Sequence, residues 1–127
     1  MKHLHEKNEQ YAEPSKDILD TFPNPGSTEV ELIQKEFTSL CPLTQQPDYA
    51  TIKILYSPNR LCIESKSLKL YLSAFRNFKG FAETITERIC KDLFEVLQPT
   101  WIGVTGEFTS RGGISINAAS EKREEGR

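Results

Sequence analysis

The apolar residues of this chain change period twice, and that change restricts the folds open to it. From Thr28 they alternate: Val30 and Leu32 are interleaved with Glu29 and Glu31, the phase slips at Leu32-Ile33, and Phe37, Ser39 and Cys41 then share a parity. This pattern predicts a long strand with a bulge. A second strand carries Ile52, Ile54 and Tyr56 on one face and Lys53 on the other. The period then becomes helical. Leu68, Tyr71, Leu72 and Phe75 stand at i, i+3, i+4 and i+7 in the stretch Glu64 to Asn77. Ile85, Ile89, Leu93 and Leu97 recur every four residues from near Phe81 until Pro99. Alternation returns with Ile102, Val104 and Phe108, turns at Ser110-Arg111-Gly112-Gly113, and runs back through Ile114, Ile116 and Ala118. The order ββααββ predicts an α+β fold, an antiparallel four-stranded sheet with two helices on one face. Sheet edges are usually paired or covered, so the expectation includes sheets joined between subunits.

A length of 127 residues suits one domain. Residues 1–26, broken by Pro14, Pro23 and Pro25, read as an N-terminal arm in which Ile18, Leu19 and Phe22 pin a short helical turn. Residues 27–119 form the folded domain, and residues 120–127 read as a charged, disordered tail. The net charge of −2 gives no support to nucleic-acid or membrane-surface binding, so any basic patch must be local. No apolar run is long enough to span a bilayer and no signal peptide is visible, so a cytoplasmic location is expected. Three cysteines without a CxxC pair indicate neither a disulfide framework nor a zinc knuckle. Both histidines, His3 and His5, fall in the arm, which leaves no His/Cys metal site within the domain.

Charge is oddly placed on the first helix. Lys66 and Lys69 fall in or beside its first turn, where the helix dipole disfavours cations, and with Arg76 they gather away from the apolar stripe. Ser65 or Ser67 can cap the start. A basic face beside free helix N–H groups suits a phosphate, and a merely solvated basic face is the simpler alternative. Cys41 ends a strand where a breaker-rich loop begins, and Asp48 lies at the loop's far side. Together they offer a nucleophile and a proton carrier, against the commoner readings of a small buried hydrophobe and a turn residue. Cys62 and Cys90 sit in apolar patterns and read as buried. Glu83 is either an ordinary N-terminal helix charge or a carboxylate aimed at a guanine-like donor pair. Arg111, before two glycines, is either a turn residue or a second phosphate clamp.

The ordered blocks Phe37-Thr38-Ser39-Leu40-Cys41-Pro42, Gln46-Pro47-Asp48, Glu64-Ser65-Lys66-Ser67-Leu68-Lys69-Leu70-Tyr71, Ser73-Ala74-Phe75-Arg76-Asn77, Phe81-Ala82-Glu83 and Phe108-Thr109-Ser110-Arg111-Gly112-Gly113-Ile114 closely resemble the short NADPH-dependent 7-cyano-7-deazaguanine reductases. These are nitrile reductases of queuosine biosynthesis, a pathway to a modified tRNA nucleoside. The resemblance covers roughly residues 17–119. It implies a tunnel fold, shared with GTP cyclohydrolase I, with sites between subunits and an assembly of two stacked pentamers. It implies Cys41 as the nucleophile that forms a thioimide, Asp48 as the general acid/base, Glu83 on the deazaguanine edge, and NADPH as the hydride donor. Lys66, Lys69 and Arg111 become candidates for its phosphates, with Glu64 and Ser65 in the same signature. Family members commonly carry His where this chain has Ala82. The rivals are another tunnel-fold purine or pterin enzyme and a non-catalytic purine-binding oligomer.

Overall fold

The computed structural model describes residues 13–125. Its order is β1 (Thr21–Pro23), β2 (Val30–Leu40), β3 (Pro47–Ser57), β4 (Leu61–Ile63), α1 (Ser65–Ser73), α2 (Ala82–Leu97), β5 (Trp101–Arg111) and β6 (Ile114–Arg123), with short 3-10 turns at Lys16–Ile18 and Ala74–Asn77. The long strands form one antiparallel sheet in the order β2-β3-β5-β6, while β1 and β4 pair as a separate small ribbon. The α+β arrangement expected from the change of period is therefore present.

Alternation explains which side of the sheet is covered. Ile52, Ile54 and Tyr56 of β3, with Ile102, Val104 and Phe108 of β5, are buried against the helices. Residues of opposite parity, such as Lys53 and Glu107, face away and form an ion pair of 3.0 Å there. The helix α2 packs close to β5 because Gly106 has no side chain: a Cβ there would lie 2.7 Å from Thr86 Oγ1, which is itself tied to the Ala82 carbonyl at 2.8 Å. Its Ile85, Ile89, Leu93 and Leu97 line one buried stripe. Gln98 then takes a left-handed conformation, and Pro99 follows.

Three local expectations are corrected. The bulge in β2 lies between Gln34 and Phe37, not at Leu32-Ile33. Val30, Leu32 and Gln34 pair with Tyr56, Ile54 and Ile52, so Ile33 simply faces the open side, and the extra residue resets the parity for Phe37 and Ser39. The start of the described chain is more than an arm: Ile18 and Leu19 are buried, although Phe22 is not, and β1 pairs with β4. The expected tail is ordered in part, because β6 continues to Arg123, whose backbone pairs with Trp101. Charged residues persist there because Glu121 and Arg123 take the open side, and Lys122, which shares the core-facing parity, is only half-buried at the sheet edge. Lys122 reaches back over the core side to Glu87 of α2 at 3.0 Å.

No helix among the described residues is long and apolar enough to cross a membrane. His3 and His5 lie outside the described residues.

Candidate active site

Cys41 follows the last residue of β2. Its N–H donates to the Gln46 carbonyl at 2.9 Å, and Gln45 N–H donates to the Cys41 carbonyl at 2.9 Å. Gln45 adopts φ 60, so the loop closes tightly before β3 begins. The Ser39↔Asp48 register and a 2.8 Å bond from Thr38 Oγ1 to the Asp48 carbonyl fix Asp48 beside the strand that delivers Cys41. The Cys41 thiol is held below the usual thiol range. The Thr44 side chain does most of this, assisted by the Thr44 and Leu43 backbone, and desolvation and the Asp48 charge oppose it. Hydrogen bonds to a thiolate favour the charged form over the neutral thiol.

The α2 start lies at the same end of the molecule. Leu40 N–H donates to the Phe78 carbonyl at 3.0 Å, and Gly80 N–H donates to the Leu40 carbonyl at 3.1 Å. This short parallel bridge brackets the residue before Cys41 and leads directly to Phe81, Ala82 and Glu83. Phe81 and Glu83 are exposed, whereas Ala82 is buried and brings no proton-transferring group to the cluster.

The Arg111 side chain, still 40 % exposed, is turned onto the loop that follows Cys41. Its Nε lies 2.7 Å from Asp48 Oδ1, Nη1 donates to Gln46 Oε1 at 3.0 Å, and Nη2 donates to the Pro47 carbonyl. The topology accounts for this. Because β5 runs antiparallel to β3, its last residue meets the first residues of β3, and Gly112 and Gly113, both with positive φ, turn the chain back immediately afterwards.

Lys66 and Lys69 stand elsewhere. The helix α1 begins where Ile63 N–H donates to Tyr56 Oη at 2.9 Å, near the end of β3 opposite Asp48. Its cap is Glu64, not Ser65 or Ser67: Oε1 accepts from Ser67 N–H at 2.7 Å and Oε2 from Lys66 N–H at 3.0 Å. The anion suited to this helix start is thus supplied in part by the chain itself. Ser67 is buried, and its Oγ accepts from Asp20 N–H at 2.9 Å, locking the N-terminal segment onto α1. Ser65 and Lys69 line a cleft of about 200 Å³ between β2 and α1, floored by Leu32, Leu68 and Leu72. Among the described residues neither Lys66 nor Lys69 has an ion-pair partner. From Asp48 to Ile54, which also lines the cleft, β3 advances about 20 Å at strand rise. One chain therefore gathers Cys41, Asp48 and Arg111, brings Glu83 to the same end, and keeps Glu64, Ser65, Lys66 and Lys69 apart from them.

The other cysteines are remote from this chemistry. Cys62 Sγ donates to Asn24 Oδ1 at 3.5 Å in the small ribbon, and burial pushes the Cys90 thiol up to about 11. All three thiols are free, and Cys62 lies towards the Tyr56 end of the sheet rather than beside Cys41. Two partners in the cluster were missed in the sequence. Thr44, three residues after Cys41 in a breaker-rich loop, was a readable signal for a local hydroxyl contact. The grip of Arg111 on Asp48 required knowing that β5 lies beside β3.

The family model for QueF-like proteins matches residues 47–127. This chain belongs to the QueF-like protein family. It is 47 % identical over 117 residues to the NADPH-dependent 7-cyano-7-deazaguanine reductase of Nitratidesulfovibrio vulgaris (strain DP4), covering 90 % of this chain and 71 % of that protein. It is 52 % identical over 105 residues to the protein of the same name from Anaeromyxobacter sp. (strain K), covering 80 % of this chain and 85 % of that one. Among solved structures, the archaeosine synthase QueF-Like in its apo form superposes with a TM-score of 0.71 at 17 % identity, over 76 % of this chain and 94 % of that one. The QueF-like chain thus shares that protein's fold.

Proposed function

We propose that this chain reduces the nitrile of 7-cyano-7-deazaguanine to the aminomethyl product with NADPH, a step of queuosine biosynthesis, using Cys41 as the nucleophile. The observation that carries the reading is the Cys41 loop, in which Thr44 holds the thiol below its ordinary range near Asp48, whose carboxylate is held by Arg111. Cys41 Sγ adds to the nitrile carbon as one C–N π bond opens, and Asp48 relays the thiol proton to the nitrile nitrogen, giving a thioimide. NADPH, when bound, supplies hydride, with two equivalents and two protons required to take a nitrile to a primary amine. Asp48 delivers protons to the substrate nitrogen, and Cys41 departs as thiolate when the C–S bond breaks between the two reductions. With Ala82 buried and without an ionisable group, these proton transfers rest on Asp48. Glu83, exposed in the first turn of α2, serves as the acceptor for the deazaguanine donor edge.

Part of the cofactor is assigned to the β2-α1 cleft, where Ser65 and Lys69 border an apolar floor, with phosphate held by Lys69 and by Lys66 of the same helix turn. The cleft is smaller than a whole dinucleotide needs, and it lies away from Cys41. A second copy therefore completes the site. The edge strands β2 and β6 expose Ile33, Ile114 and Ile116 for such joining. Two stacked pentamers are the assembly expected from the family resemblance, and a single-chain mass in sedimentation would contradict a shared site.

The activity is tested by mixing the protein with the nitrile and NADPH. Two NADPH oxidised per nitrile consumed, with the aminomethyl product found by mass, is the expected result; a purine that binds but remains unreduced would instead indicate a binding module. Lys66→Ala and Lys69→Ala are each expected to raise KM for NADPH about tenfold, the loss of one charge-assisted contact. KM for NADH should change much less, and equal changes for both cofactors would remove the lysines from the phosphate that distinguishes them.

A further inference from the structure

The guanidinium of Arg111 makes its contacts with three consecutive residues, Gln46, Pro47 and Asp48, which close the loop that starts at Cys41. Every one of these contacts is to the nucleophile loop or its carboxylate. We infer that Arg111 is a positioning residue for the covalent step, holding Asp48 and the Cys41 loop in the attacking arrangement before any cofactor arrives. This rests on the proposed nitrile chemistry and gives Arg111 a positioning role beside the phosphate contact that the family resemblance implies.

Two physical consequences follow from the fork. A planar guanidinium that engages a carboxylate, a side-chain amide and a backbone carbonyl fixes orientation as well as charge, which a lysine cannot reproduce in full. It also offsets the Asp48 charge, which by itself disfavours the Cys41 thiolate. Asp48 and Arg111 are the charged groups that bear on the loop from β3 and β5. From the segment bridged to Leu40, Lys79 is exposed and forms no ion pair among the described residues.

The test separates positioning from cofactor binding because the covalent step needs no NADPH. Adduct formation between the protein and 7-cyano-7-deazaguanine is followed by intact mass without cofactor, for wild type, Arg111→Ala and Arg111→Lys. The rate of Cys41 alkylation by iodoacetamide is measured across pH on the same proteins and on Arg111→Ala/Asp48→Asn. Arg111→Ala should slow the adduct about 10- to 100-fold, the effect of a loosened attacking geometry, with partial rescue in Arg111→Lys. Its alkylation profile should move up by about half a pH unit, and the added Asp48→Asn should reverse that move. An adduct rate equal to wild type, or an alkylation profile that does not move, would overturn the assignment. If wild type forms no adduct, the nitrile reading itself fails, and the alkylation profiles alone decide whether Arg111 positions the loop.

Discussion

Cys41→Ala is expected to lower turnover of the nitrile by at least about a thousandfold while leaving the fold intact. Removing a nucleophile abolishes the covalent route and leaves only binding and proton placement, and losses of this order or greater are usual for such groups. The fold should persist because Cys41 is only half-buried and its backbone bonds to Gln45 and Gln46 do not involve the thiol. Circular dichroism and the unfolding midpoint should match wild type, and NADPH should still bind, since the lysine cluster is elsewhere. Turnover within tenfold of wild type would show that sulfur is not the attacking atom, even if the protein remains a reductase.

Asp92→Ala is expected to cost the most stability among the polar substitutions. Asp92 is buried in α2, and its Oδ2 accepts from Tyr71 Oη at 2.6 Å and from Arg88 Nε at 2.9 Å. Arg88 Nη2 donates in turn to the Pro14 carbonyl at 2.9 Å. Burial, and then the neighbouring Asp92, push the Tyr71 hydroxyl well above the ordinary tyrosine range, so it remains a donor at working pH. Deleting the carboxylate leaves a buried hydroxyl and a partly buried guanidinium without their common acceptor, a loss of about 3 kcal/mol. Tyr71→Phe should cost about 1 kcal/mol, because it removes the donor and leaves Asp92 still paired with Arg88. Urea unfolding checks both. A loss below about 0.5 kcal/mol for Asp92→Ala would show that water replaces the acceptor and that the network does not hold the N-terminal segment to the helices.

The element order could be read from the chain because burial on one side of a sheet forces alternation and burial on one side of a helix forces spacing of three and four. The stripe Ile85, Ile89, Leu93 and Leu97 is a direct case, and so is the face Ile52, Ile54 and Tyr56. What escaped the sequence depends on which remote elements meet. Ser67 looked like a possible cap, yet it binds Asp20 N–H while Glu64 caps the helix. Nothing local distinguishes the two roles, since both put a small hydroxyl or a carboxylate before a helix. The strand at Glu121 to Arg123 looked like a solvated tail because an edge strand tolerates charge on both faces. At the candidate site, Cys41 and Asp48 could be paired from the loop between them. The interaction of Arg111 with Asp48 could not, because it spans sequence-distant strands. The same limit applies to Lys66 and Lys69: their basic face was visible, but not its distance from the nucleophile.

The most direct measurement is the intact mass of the wild-type protein after incubation with 7-cyano-7-deazaguanine in the absence of NADPH, followed by peptide mapping. The expected result is a mass increase equal to the whole nitrile substrate, located on Cys41 and absent from Cys62 and Cys90, which disappears when NADPH is added. An unmodified protein that also leaves NADPH unoxidised, or an adduct on either of the other cysteines, would contradict it.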